Sequence, residues 1–265
     1  MEFFPLRLSS PLRGTQGLLA SLIQREKLRK VIKQTTDLKT KMKKTAALLL
    51  AALVTGSSLS AQESSYSLTI DFPYVSDYVF RGIKYADDAI QPSIEYATGD
   101  FYAGIWISEP VSNTATNEYD FYAGYGIAIS DSWALDLGAT YYYYPETSSG
   151  DEQFEPFIGA SGDLGGGISG SAYYYYETEF KVSTFQFGLG YSSELSDAAT
   201  FDLAADYGVV STDGPGDYNY YSLSGTVNYA LNDTAGTYFG LVYTDTDITG
   251  GDSYFYFITG VSIGF

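Results

Sequence analysis

From Tyr66 to Phe265 apolar residues recur with a period of two, and no stretch sustains the 3.6-residue apolar period of a helix. In "EYDFYAGYGIAI" (118–129), Tyr119, Phe121, Ala123, Tyr125, Ile127 and Ile129 share one face. Glu118, Asp120, Tyr122, Gly124, Gly126 and Ala128 share the other. "WALDLGATYYYY" (133–144) and "FDLAADYGVV" from Phe201 repeat the pattern. Reading turn signals between such runs predicts strands near 66–82, 90–97, 101–108, 118–129, 133–144, 153–161, 167–177, 180–193, 199–211, 218–230, 235–246 and 253–265.

The predicted connections alternate in kind. Tight ones ("TGD", "SDS", "GDLG", "LSDA", "LNDT") take turns with wider acidic ones ("EPVSNTATN", "PETSSGDE", "TDGPGD"). An even number of strands of about 9–11 residues, with short turns at one end and longer loops at the other, is the layout of a membrane barrel. A soluble sandwich also alternates, so the content of the apolar face decides. Here that face is heavy in aromatics near strand ends: Tyr96, Phe101, Trp133, Tyr191, Phe201 and Tyr229 at one end, Tyr119, Phe121, Tyr141, Tyr143, Tyr207, Tyr221 and Tyr243 at the other. Two interfacial girdles account for this better than a Val/Ile/Leu core. The predicted fold is all-β: a single closed antiparallel transmembrane β-barrel of about 12 strands, following an N-terminal signal peptide.

Charge divides the chain. Of 14 Lys and Arg only Arg81, Lys84 and Lys181 lie beyond Lys44, whereas of 32 Asp and Glu only Glu2, Glu26 and Asp37 precede Gln62. So acidic a mature region excludes nucleic-acid binding, which needs clustered bases. "MKKTAALLLAALVTGSSLSA" (42–61) has the basic, apolar and small-residue regions of a secretory signal peptide, with an apolar run too short to span a bilayer. Residues 62–265 are then the exported barrel. Residues 1–41, basic with loosely spaced leucines, read as an upstream extension ahead of a true start at Met42, the alternative being an amphipathic membrane-surface helix.

Cys and His are both absent. Triads that use His, His-ligated metals and thiolate sites are therefore unavailable, and neither an enzyme nor a cofactor is expected. Acidic loops such as "DTD" (245–247) lack a recognisable calcium spacing.

Extending the strand parity assigns side chains to the barrel interior. Leu68, Ile70, Phe72, Tyr78 and Phe80 are expected to face lipid, and Asp71, Asp77 and Arg81 the lumen, unless Pro73 marks a bulge. Glu95, Asp120, Asp136, Glu155, Asp202 and Asp206 join them, together with Tyr102, Trp106, Tyr122 and Tyr142, and also Tyr173, Tyr220 and Tyr256. In the final strand Phe257, Val261 and Ile263 share the parity of Phe265. A terminal aromatic on such a strand resembles the C-terminal signal by which outer-membrane barrels are recognised for insertion.

"VSDYVFRGI" (75–83) resembles the opening motif of the Gcw_chp family, also called TorF-family porins, a group of bacterial outer-membrane proteins. The resemblance continues through "FYAGIW" (101–106), "EYDFYAGYG" (118–126), "YYYYPE" (141–146) and "LVYTDTD" (241–247). The chain departs from the family where "IKYA" follows Gly82 and where "IWISEP" stands. The resemblance implies a barrel and a channel, with no established substrate. The expected function is a narrow, cation-preferring channel for small solutes in the outer membrane of a Gram-negative bacterium, with outer-membrane lipids and the barrel-assembly machinery as partners. The alternative is a non-conducting structural or surface-interaction barrel whose lumen is plugged by its own aromatics and acids.

Overall fold

The computed structural model describes residues 66–112, 115–147, 152–214 and 216–265. The predicted upstream extension and signal peptide lie outside the described residues. Every regular element described is a β-strand.

The wall begins with β1 (Tyr66–Val75). After an excursion it continues as β4 (Ala89–Ile90) and β5 (Ser93–Thr98), which form one stave interrupted at Gln91 and Pro92. Proline has no N–H to give the ladder, so the interruption falls there. Then follow β6 (Phe101–Pro110), β7 (Glu118–Ala128), β8 (Trp133–Tyr143), β9 (Glu152–Gly165), β10 (Ile168–Glu177), β11 (Val182–Ser196), β12 (Ala199–Ser211), β13 (Tyr218–Ala230), β14 (Ala235–Thr246) and β15 (Tyr254–Gly264). Each pairs antiparallel with its sequence neighbours.

Closure comes from β1 against β15, in register from Thr69↔Gly264 to Val75↔Ile258, and Leu68 and Phe265 exchange backbone hydrogen bonds of 3.1 and 2.9 Å beyond it. The result is a closed 12-stave antiparallel barrel with no free edge. The tight turns share one end with Tyr66 and Phe265. The wider loops share the other, which by the usual arrangement of such barrels is the outer mouth.

The wall is apolar outside and polar inside. Phe121, Ile127, Leu137, Phe187, Leu189, Leu223 and Leu241 are exposed, whereas the buried apolar residues are few and small in number beside them: Val75, Ala86, Ala89, Tyr142, Val210 and Tyr220. A soluble protein rarely presents so continuous an apolar surface to water. A barrel in hydrocarbon requires it.

The excursion between β1 and β4 corrects the sequence reading. The predicted first strand ran to residue 82, but the wall strand stops at Val75, with no bulge in its register at Pro73. β2 (Tyr78–Phe80) and β3 (Ile83–Ala86) form a separate two-stranded sheet. Its contacts lie on the inner face of the barrel. Tyr78 and Phe80, expected on the lipid side, therefore point into the interior: alternation persisted along the chain after the chain had left the wall.

Candidate functional site

The β2–β3 hairpin turns through Arg81 and Gly82, whose φ angles of 48° and 79° are both left-handed, as a two-residue I′-type turn requires. Glycine takes that conformation freely. Arginine gives up about 1 kcal/mol to do so, and its side chain accounts for its presence. Arg81 Nη1 and Nη2 donate to Glu155 Oε2 and Oε1 of β9 at 2.7 and 2.9 Å, a two-pronged ion pair with 11% and 3% of the side chains exposed. The guanidinium carbon lies 4.6 Å from the ring centroids of both Phe80 and Tyr175. The Tyr142 hydroxyl also donates to Glu155 Oε1, at 2.9 Å.

The hairpin crosses the whole interior. In the circular strand order β10 is the sixth neighbour of β1 in either direction, and Tyr175 lies on β10. At the tip, a Cβ on Gly82 would fall 2.8 Å from Tyr220 Cβ and 3.2 Å from Thr246 Cβ, so the turn is pressed against β13 and β14. Along the flank, the Tyr78 ring lies 5.6 Å from Trp106, and its hydroxyl donates to Glu118 Oε2 at 2.8 Å. Tyr144 donates to the other oxygen of Glu118 at 2.7 Å. Phe80 contacts Tyr142 at 6.5 Å between centroids. At the base Lys84 pairs with Asp77 and, at 2.6 Å, with Asp87. Hydrogen bonds to these two carboxylates push the Lys84 ammonium up to about 12.

The inner wall outside the hairpin's reach is built of carboxylates held by neutral donors. Asp136 accepts from Tyr102 at 3.0 and 3.1 Å and from Tyr173 at 3.3 Å. Glu95 accepts from Tyr122 at 3.0 Å, and Asp71 from Tyr238 at 2.9 Å. Asp206 accepts from Gln186 at 3.3 Å, and Asp202 from Asn228 at 2.6 Å and from Ser192. One oxygen of Asp71 and one of Asp120 are buried with no hydrogen-bond partner. Glycine makes room for this layer. Tyr173 is paired directly across the sheet with Gly159, where a Cβ would fall 2.1 Å from its ring.

Several residues singled out from parity are thus brought together: Arg81 with Glu155 and Tyr142, Asp136 with Tyr102, Glu95 with Tyr122. Asp77 and Arg81 do not share partners, since Asp77 binds Lys84 and Arg81 binds Glu155. Asp71 finds Tyr238, 167 positions away in sequence, across the closing seam. Lys84, Glu118, Tyr175 and Tyr238 were not singled out. Glu118 had a signal, because it shares the polar face of its strand with Asp120; the others depend on the hairpin or on closure. On the outer side, Phe257 lies 5.8 Å from Tyr74 and 5.9 Å from Phe239, ring to ring, while Val261 and Phe265 are exposed and Ile263 is half-buried. Among the described residues no group of acidic side chains is arranged to hold a metal ion.

A family model described as a bacterial protein of unknown function (Gcw_chp) matches residues 60–262. No curated protein matches the sequence. Among solved structures, a KdgM porin superposes with a TM-score of 0.55 at 12% identity, over 74% of this chain and 99% of that one. A KdgM porin in complex with disordered oligogalacturonate gives 0.53 at 10% identity, over 75% and 99%. A NanC porin gives 0.52 at 14% identity, over 74% and 98%. At these identities the likeness is one of fold, and the fold is that of outer-membrane porins.

Proposed function

This chain belongs to the Gcw_chp family, and on that premise we propose that it is a porin of the bacterial outer membrane, a narrow passage for small solutes that prefers cations. One observation carries the charge preference. The described residues include three bases, and each is engaged: Arg81 with Glu155, Lys84 with Asp77 and Asp87, Lys181 with Asp213 at 3.2 Å. Asp71, Glu95, Asp120, Asp136, Asp202 and Asp206 share the interior with no basic partner among the described residues. Carboxylates lining a pore without basic partners attract cations and repel anions. A KdgM porin is described with oligogalacturonate; a chain of sugar acids would meet mainly acids on this wall.

The exposed apolar belt supports outer-membrane lipids as the surrounding medium. The terminal strand, with Phe257, Val261, Ile263 and Phe265 on its outer side, supports recognition by the barrel-assembly machinery after export through the signal at 42–61. The interior is proposed to bind and pass solutes and to carry out no catalysis. Planar-bilayer recordings of the refolded protein under a salt gradient test this reading. A reversal potential of cation sign is expected; an anion sign, or no conductance from a folded barrel, overturns it. The hairpin favours a second reading, a non-conducting surface-interaction barrel, because its contacts reach the opposite wall.

A further inference from the structure

We propose that the hairpin at residues 76–88 is a gate: a separately folded constriction of the outer mouth, latched by Arg81 on Glu155, whose release opens the barrel. The inference rests on the channel reading above and adds to it the element that decides what passes.

The first support is mechanical. β2 and β3 hydrogen-bond to each other in a sheet of their own, so no β-ladder ties the hairpin to the wall. Its two ends meet where Val75 pairs with Ala89, and below that pair the ladder of β1 with β15 is continuous. The hairpin can therefore leave the interior without breaking a stave. At its base two backbone bonds, Ser76 N to Phe257 O at 3.0 Å and Val111 N to Asp88 O at 2.9 Å, together with Phe257 N to Ser76 Oγ at 3.0 Å, fix the points about which it would turn.

The second support is energetic. Everything that holds the tip in place is side-chain chemistry, and its centre is a buried charge. A buried guanidinium against the rings of Phe80 and Tyr175 is tolerated because Glu155, itself held by Tyr142, neutralises it through two hydrogen bonds. Without that carboxylate the same guanidinium is better solvated outside the lumen, and it carries the tip with it. Arg81 also has a buried Nε with no partner, so the closed position leaves one donor unmet that water would satisfy on opening. The pair is therefore the group on which the equilibrium between closed and open hairpin depends most.

The third support is geometric. The tip presses Gly82 against Tyr220 and Thr246 while Arg81 reaches β9 and β10. A segment that meets the far wall in this way sets the width of any passage there.

Single-channel recordings on three proteins test the proposal, each first shown to be a folded barrel by its heat-modifiable migration in SDS. They are the full chain, the chain with residues 76–88 replaced by Asn-Gly, and Glu155→Gln. Val75 and Ala89 are already paired, so a two-residue turn can close them without altering the wall. The expected result is a several-fold larger unitary conductance in the replaced protein. Glu155→Gln should show transitions between the small level of the full chain and that large level, with a several-fold greater open fraction than the full chain. If the full chain and the replaced protein have equal conductance, the hairpin is not the constriction and the gate is overturned, while the channel reading stands. If the replacement enlarges the conductance but Glu155→Gln matches the full chain, the latch is overturned. If none of the folded barrels conducts, the channel reading fails and the gate with it.

Discussion

Glu155 and Asp136 sit on the inner face of neighbouring staves, β9 and β8, and the barrel treats them in opposite ways. Glu155 is 2% exposed and is met by a guanidinium. Asp136 is met by two phenols and no base. The same contrast separates two regions of the interior. Where the hairpin enters, Asp77, Asp87 and Glu155 are met by the bases Lys84 and Arg81, and only Glu118 is held by phenols alone. Elsewhere the acids are matched by Tyr, Gln, Asn and Ser, which orient a carboxylate without neutralising it. One region uses ion pairs to hold a segment in place; the other holds its carboxylates with neutral hydrogen-bond donors.

Breaking the first region should have the largest effect. Glu155→Ala leaves Arg81 buried and unpaired, and removing one partner of a buried ion pair costs about 3–5 kcal/mol. Hydrogen exchange should show the amides of residues 78–86 losing protection of that order while the wall strands keep theirs; unchanged protection would count against the pair as the fastening. Next comes the packing of the neutral layer. Gly159→Ala places a Cβ 2.1 Å from the Tyr173 ring and should cost about 1–3 kcal/mol in urea unfolding from lipid vesicles. Gly126→Ala, with its nearest atom at 3.9 Å, should stay within about 0.5 kcal/mol.

A smaller stability effect, but a larger functional one, is expected from Asp136→Asn. It keeps one acceptor oxygen for Tyr102 and offers an amide N–H that the Tyr173 hydroxyl oxygen can accept, so stability should fall by about 1 kcal/mol, while the reversal potential moves toward zero. Movement in the other direction would mean that Asp136 does not contribute to ion preference.

The smallest effect lies at the mouth. Hydrogen bonds from the Asn219 backbone N–H first, and from its side-chain amide second, hold the Asp247 carboxyl below the usual carboxylate range. A lowered folded-state value contributes stability above the unfolded value, and that contribution is lost as pH falls through the folded one. Loop signals of residues 219 and 247 in an acid titration should therefore change below about pH 4; a change at higher pH would contradict the assignment.

Much of the fold was legible because alternation is a local property. A wall strand such as Glu118–Ala128 shows its two faces in its own residues, and its partners only confirm them. The hairpin was not legible for the same reason. "DYVF" alternates as well inside a small sheet as in the barrel wall, so parity carried Tyr78 and Phe80 to the wrong side. The available signal was the Arg81-Gly82 pair, a turn dipeptide in the middle of an apparent strand. Pairings made by closure, such as Asp71 with Tyr238, leave no local trace at all. The aromatic layer is partly legible: parity groups Tyr102, Tyr122 and Tyr173 with the polar face of their strands, but their seating over glycines on the next stave requires the register.

The central claim is that the unneutralised region of the interior gives the passage its cation preference. The direct measurement is the reversal potential, under a potassium chloride gradient, of the protein in which residues 76–88 are replaced by Asn-Gly. That variant exposes the carboxylate wall without Arg81 or Lys84. The account predicts conductance with a reversal potential of cation sign, reduced by Asp136→Asn; a reversal potential at zero or of anion sign would contradict it.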